Sequence, residues 1–444
     1  MVFALISLGC PKNQVDADVM CRRLLAAGHT TTADLSEADM ILVNTCGFID
    51  SAKSEAIENI LMACEYKKNN PAVKVVVTGC LAQRYQSQIA DEIPEVDGVV
   101  GLGSSEAIVA ILERIAGGEK VESYGPKTAL PLGGERVVST PRHYAYLKIA
   151  EGCNNCCHYC AIPSIRGPLR SRTVEDCVAE ARWLAAQGVK ELILVAQDVT
   201  AFGDDRGENE ICRLLDELQP VEGIEWIRML YAYPERITDE FIAAMVRNSK
   251  VLHYIDIPIQ HSVTRVLKSM NRKGDEETIR SAVSRLRAAM PDITLRTTLI
   301  AGYPGETEEE FAQLQQFVRE MKFDRLGCFA YSQEEGTVAA KMENQLDEDT
   351  KQQRADSIMR IQTGIMAEKQ AAMVGRTLRV LCDGLDEESG LYLCRSAGDA
   401  PDIDGAVCVR SEEPLYPGEF YTVLVEESDE YDLFAVPVNE EEKK

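Results

Sequence analysis

The 444-residue chain is 45% hydrophobic and 27% charged, with 47 basic against 72 acidic side chains and a formal net charge of −25. No apolar run is long enough to span a bilayer, and so acidic a surface repels phosphate backbones, whose binding rests on Lys and Arg displacing counterions. The length allows two or three domains; fifteen cysteines without a secretory leader argue for metal ligation over disulfides and for a cytoplasmic location.

In chain order, FALIS (3–7), MILVN (40–44) and VKVVV (73–77) predict buried parallel strands, with helices over 16–27 and 54–66 between them. This βαβ alternation predicts an N-terminal doubly wound α/β domain over residues 1–121. Each strand is followed within a few residues by a cysteine: Cys10, Cys46 and Cys80. Parallel strands bring their C-terminal ends to one edge, so these three thiols are expected to converge. Three thiolates without a fourth suit an iron–sulfur cluster with one open iron. Cys21 and Cys64 fall within helical patterns and read as core.

Residues 122–141 carry three prolines and three glycines and read as a linker. YAYLKIA (144–150) then predicts a strand running into EGCNNCCHYC, where Cys153, Cys157 and Cys160 form a C-x3-C-x2-C array. A cubane cluster takes a thiolate on each iron. Three thiolates from one short loop leave the fourth iron able to chelate a small molecule, with S-adenosylmethionine expected. The abutting C-x-x-C units could also suggest zinc, but structural zinc sites separate their knuckles by a loop of a dozen or more residues. Cys156 reads as a non-ligand neighbour and Tyr159 as a ring able to lie against adenine.

Strands are expected over 191–198, 226–234, 253–261, 294–306 and 324–332, separated by helices. About six β/α units over 142–372 predict a partial barrel of the TIM kind, with active groups at the C-terminal strand ends. Gln197, Gln260 and Arg296 lie near such ends and are candidate contacts to S-adenosylmethionine. His261 reads as a hydrogen-bonded barrel histidine, and GYPGETEEEF (302–311) as a turn followed by a helix with an acidic first turn. A helix over 349–373 closes the unit. Residues 374–444 read as a small antiparallel β-barrel with 18 acidic and 6 basic residues, a net of −12, which favours a basic partner. Cys382, Cys394 and Cys408 within its strands read as core.

With these features in view, the chain resembles the methylthiotransferase family of radical S-adenosylmethionine enzymes over essentially its whole length. The resemblance rests on the domain order, the trio Cys10/Cys46/Cys80 and the Cys153/Cys157/Cys160 array. SLGCPKN (7–13), AQD (196–198), YIDIPIQH (254–261), YSQEEGT (331–337) and DAPDIDG (399–405) look like the branch that modifies an aspartate of the twelfth small-subunit ribosomal protein. The alternative is the branch acting on tRNA adenosines, which tends to open with GCQMN where this chain has GCPKN. The family's terminal barrel is of the TRAM type; it binds RNA in the tRNA branch, whereas an acidic one would face a basic ribosomal protein.

The resemblance implies two 4Fe-4S clusters, the radical one on Cys153, Cys157 and Cys160 and an auxiliary one on Cys10, Cys46 and Cys80. It implies two S-adenosylmethionine molecules per turnover, one yielding a radical that takes hydrogen from the aspartate β-carbon and one methylating the sulfur. The product is 3-methylthioaspartate. The implied partners are the ribosomal protein, free or in the ribosome, an electron donor such as flavodoxin or ferredoxin, and a sulfur donor. Nucleic acid is not expected as the direct substrate, nor a membrane as a partner.

Overall fold

Short β-branched runs at Val2–Ser7 (β1), Thr30–Thr31 (β2), Met40–Thr45 (β3), Lys74–Gly79 (β4), Gly98–Gly101 (β5) and Val121–Ser123 (β6) pair in the order β2-β1-β3-β4-β5-β6, every junction parallel. The computed structural model describes residues 1–438; positions 439–444 of the expected terminal unit lie outside the described residues. Period-two alternation sends Ile41, Val43, Val75 and Val77 toward Ala56 and Ile60 of helix Asp50–Asn69. It sends Phe3, Met40, Leu42 and Val76 toward Met20 and Leu24 of helix Pro11–Ala26. Helices on both faces make the sheet doubly wound.

The first helix begins at Pro11 rather than at residue 16, because proline at the first helical position gives up an N–H that has no partner there anyway. Neither β5 nor β6 is evident in the sequence: glycines bound β5, and β6 begins the stretch that reads as a linker. That stretch is packed as a strap. Arg136, 4% exposed, donates to Asp18 at 3.0 Å and Glu180 at 2.9 Å, tying the first sheet to the second unit.

In the second unit, β7 (Tyr144–Lys148) leads into β8 (Ala150–Glu151), which pairs antiparallel with β9 (Arg170–Ser171) beside the cysteine array. Then follow β10 (Glu191–Val195), β11 (Trp226–Met229), β12 (Val251–Asp256), β13 (Thr294–Ala301) and β14 (Arg325–Ala330). Together with β7 they form a six-stranded parallel sheet in sequential order, an open barrel. Helices bury its outer face, and helix Glu348–Ala371 closes one side. Residues 302–311 form the expected turn and acidic helix start, with a capping box between Thr307 and Glu310.

The third unit is a closed barrel of β15 (Thr377–Leu385), β16 (Tyr392–Ser396), β17 (Val407–Val409), β18 (Phe420–Ser428) and β19 (Leu433–Pro437), in the order β15-β16-β17-β19-β18. It departs from the all-antiparallel expectation at one junction, where β17 and β19 run parallel. The chain crosses the barrel between β17 and β18, so the returning β19 meets β17 in the same sense. Cys382 and Cys394 are cross-strand partners and fully buried, as expected of core residues.

The open barrel's inner face is covered by both neighbours. Tyr144, Tyr146, Trp226 and Tyr254 pack with Val15 of the first unit and with Leu381 and Ala400 of the third. Charges follow the same seam. Glu191, 0% exposed, accepts from Arg228 at 2.7 Å and from Arg395 of the terminal barrel. Arg325 donates to Asp399 at 2.6 Å, and the Tyr254 hydroxyl to Asp404 at 2.7 Å. Part of the terminal barrel's acidic surplus is therefore spent inside the molecule. Among the described residues no helix is long and apolar enough to cross a membrane.

Candidate functional site

Cys10, Cys46 and Cys80 leave the ends of β1, β3 and β4, at the edge where the strand order reverses between β1 and β3. Open α/β sheets hold ligands at such a switch point. Two glycines let the loops close. A Cβ on Gly79 (φ +95°) would lie 2.5 Å from the Thr45 carbonyl oxygen, and one on Gly9 (φ +95°) would lie 2.9 Å from the Cys46 Cβ. Asn13 fastens the loops by donating to the carbonyls of Leu8 at 2.7 Å and Thr45 at 3.3 Å.

The three thiols feel one another's charge. Burial pushes Cys80 up to about 12 and Cys46 upward, with Cys10 adding to both. Burial also raises Cys10, but Lys12 and Arg166 outweigh it, and its thiol is held below the ordinary value. Metal coordination takes thiolates, so the cationic pair favours the form that binds. Lys12 itself is pushed down by burial.

The second trio lies on the loop after β8. Gly152 (φ +77°) faces the Pro168 carbonyl where a Cβ would sit at 2.0 Å, and the Cys153 N–H donates to Gly167 at 3.1 Å. Asn155 donates to Asp198 at 2.9 Å, and the N–H groups of Asn155 and Ile162 reach the Cys153 and Cys160 sulfurs, each at 3.4 Å. Burial pushes Cys153 up to about 11 and Cys160 higher, with Cys157 contributing to both. Cys156 is exposed in a left-handed conformation (φ +50°), apart from the inward-facing thiols. Among the described residues no three His, Cys, Asp or Glu side chains close on a single-ion site.

One segment lies between the trios. After β11, Tyr231 is within the electrostatic reach of Cys10, while the Tyr233 hydroxyl lies 3.8 Å from the Cys157 sulfur. Arg166 and Lys148 form the other bridge. Arg166 donates to Asp16 at 2.9 Å and Glu151 at 2.8 Å; Lys148 pairs with the same two carboxylates. Burial raises the Glu151 carboxyl, but Arg166 and Lys148 overcome this and hold it well below its ordinary 4.5. A depressed carboxylate contributes stability that is present above its unfolded value and is lost on acidification. The melting temperature should therefore fall as pH drops below about 4.5. Glu151→Gln should flatten that limb, measured by thermal melts across pH.

The four side chains expected to contact S-adenosylmethionine are placed differently. Gln197 donates to Glu151 at 2.9 Å, and its own carbonyl oxygen is buried without a partner, as a ligand-facing acceptor would be. Tyr159 lies against Cys157. Gln260 leaves β12 with φ +68°, and its backbone bonds β13. Arg296 is engaged instead, donating to Asp256 at 3.1 Å and lying 3.4 Å from Asp404 of the terminal barrel. His261 is buried and accepts from the Val263 N–H at 3.0 Å. Sequence reasoning missed Lys12, Lys148, Glu151 and Arg166. Lys148 and Glu151 do leave a trace, as charges that close the otherwise apolar strands β7 and β8.

The donor chemistry suits iron–sulfur clusters: two sets of inward thiols, a cation beside one set, and an orphaned amide oxygen between them. Comparison with known proteins agrees. Residues 2–101 match the model of "Uncharacterized protein family UPF0004", residues 147–318 the radical SAM superfamily and residues 374–438 the TRAM domain. The ribosomal protein uS12 methylthiotransferase RimO of Acetivibrio thermocellus is 47% identical over 448 residues, covering 99% of each chain. That of Clostridioides difficile is 46% identical over 436 residues, covering 97% of each. Among solved structures, the radical S-adenosylmethionine methyltransferase TsrM from Kitasatospora setae superposes with a TM-score of 0.57 at 13% identity, over 87% of this chain and 79% of that one. That likeness concerns fold alone.

Proposed function

Because the chain belongs to the uS12 methylthiotransferase family of radical S-adenosylmethionine enzymes, we propose that it converts the β-carbon C–H of an aspartate in uS12 to C–S–CH3. The observation that carries this reading is the pair of cysteine trios flanking Tyr231–Tyr233. Cys153, Cys157 and Cys160 would hold one 4Fe-4S cluster, and Cys10, Cys46 and Cys80 the other. When bound, these clusters and S-adenosylmethionine supply the one-electron cleavage, the methyl group and the transferable sulfur.

The chain's own residues do the rest. Arg166 and Lys12 keep Cys10 in a thiolate-favouring field. Glu151 is held ionised and orients Gln197, whose free oxygen is aimed to accept from S-adenosylmethionine. Tyr159 and Tyr233 lie against Cys157, and Val15 and Tyr146 pack together at the junction of the first two units.

The test is the intact mass of uS12, with nucleoside analysis of tRNA, from cells with and without the gene. Loss of a methylthio group from uS12 is expected. A methylthio mark lost from tRNA alone overturns the proposal in favour of the tRNA reading.

A further inference from the structure

Of the buried cations around the trios, Lys148 and Arg166 are met by Asp16 and Glu151, and Arg136 by Asp18 and Glu180. Arg272, over the Tyr233 ring beside Cys157, and Lys12, beside Cys10, have no carboxylate partner among the described residues, and of the two Lys12 is the one at the first trio. It is 6% exposed, second in helix Pro11–Ala26, and its ammonium makes one long bond, 3.3 Å to the Ala196 carbonyl. It lies 3.7 Å from the centroid of the Tyr231 ring. The carboxylates nearest in charge are taken, Glu151 by Arg166, Lys148 and Gln197, and Asp256 by Arg296. An ammonium has three donors, so two remain uncommitted within the chain.

The ring beneath it is held under strain. Tyr231 sits at φ +67°, a left-handed conformation that a bulky residue seldom adopts. The Asp256 carboxylate fixes it there by accepting from the Tyr231 N–H at 3.2 Å. Such strain persists where the surrounding structure requires that placement. The ammonium and ring lie beside Cys10, on the segment between the two trios, where the target carbon has to lie.

We infer that Lys12 receives the carboxylate of the target aspartate and sets the preference for that residue, an inference that rests on the uS12 reading above. A residue whose β-carbon reaches the space between the trios carries its carboxylate one bond further. A buried ammonium meeting that carboxylate forms a charge-assisted hydrogen bond. A neutral side chain in the same place forfeits that charge-assisted bond, and discrimination follows from its loss.

The experiment measures binding of fluorescently labelled uS12, and of its aspartate-to-asparagine form at the modified residue, to the iron-reconstituted enzyme. The wild type is expected to prefer the aspartate form by about tenfold or more. Lys12→Met should bring the two forms level, and Lys12→Arg should keep most of the preference. Iron content and visible spectrum are recorded for each protein, so that a loss through the neighbouring Cys10 is recognised. Equal binding of the two forms by the wild type overturns the inference with no variant needed; so does an undiminished preference in iron-replete Lys12→Met. Methylthiolation of uS12 by the wild type is followed in the same samples. Its absence sinks the functional reading, whereas product formed with an unchanged preference sinks only the role of Lys12.

Discussion

Replacing Cys10, Cys46 and Cys80 together by alanine is expected to abolish methylthiolated uS12 while reductive cleavage of S-adenosylmethionine to 5′-deoxyadenosine continues. Replacing Cys153, Cys157 and Cys160 should abolish both. The asymmetry follows from where the trios stand. The first is built on loops of the N-terminal sheet and the second on one loop after β8, with Tyr231 and Tyr233 between them. Each set can thus be removed without dismantling the other's scaffold. Cys80 is buried but opens a short helix held by Leu81 and Ala82 in the core of the first sheet, so alanine there leaves the fold intact. Chromatography of 5′-deoxyadenosine and the mass of uS12 read the two outcomes separately. Normal methylthiolation by the first triple variant overturns the assignment, and so does loss of cleavage in that variant with the second trio's iron retained.

The second large effect is on stability. Glu191 lies fully buried between Arg228 of the open barrel and Arg395 of the terminal one. Those arginines hold its carboxyl below the ordinary range against the opposing effect of burial. Glu191→Leu strands the buried Arg228 guanidinium, while Arg395 keeps its paired bond to Asp383. Breaking a buried pair by removing one partner costs about 3–5 kcal/mol, which corresponds to a fall in melting temperature of several degrees. Adding Arg228→Met to the same chain should recover much of it, since the stranded charge is then gone and Asp383 still holds Arg395. Calorimetry of the single and double variants checks this. A single variant as stable as the wild type would show that the triad holds nothing together.

The parts legible in sequence are those with a local signature. Each of Cys10, Cys46 and Cys80 follows an apolar run, and parallel pairing alone carries them to one edge. The array at Cys153, Cys157 and Cys160 is visible by spacing. Arg166 is not, because its partners Asp16 and Asn13 lie some 150 residues away and no periodicity links them. The surroundings of Arg296 illustrate the same limit. Nothing local in the sequence links it to Asp256 and Asp404, whose carboxylates lie 3.1 and 3.4 Å away. The stretch over 122–141 shows a related limit: proline and glycine mark irregular backbone, and irregular backbone can still be packed when an arginine such as Arg136 anchors it.

The covered inner face of the open barrel has a bearing on how its parts can be studied. Without the terminal barrel, Trp226 would lose its edge-on contact with Phe420, at 4.9 Å between ring centroids, and Glu191 would lose one of its two arginines. A deletion ending before β15 would therefore uncover sticky aromatic surface and unbalance a buried charge at once. Loss of activity in such a truncated protein would report aggregation and misassembly rather than a missing recognition module. The terminal barrel's part in choosing a partner is better probed on the intact chain, by reversing charges on its outward strands.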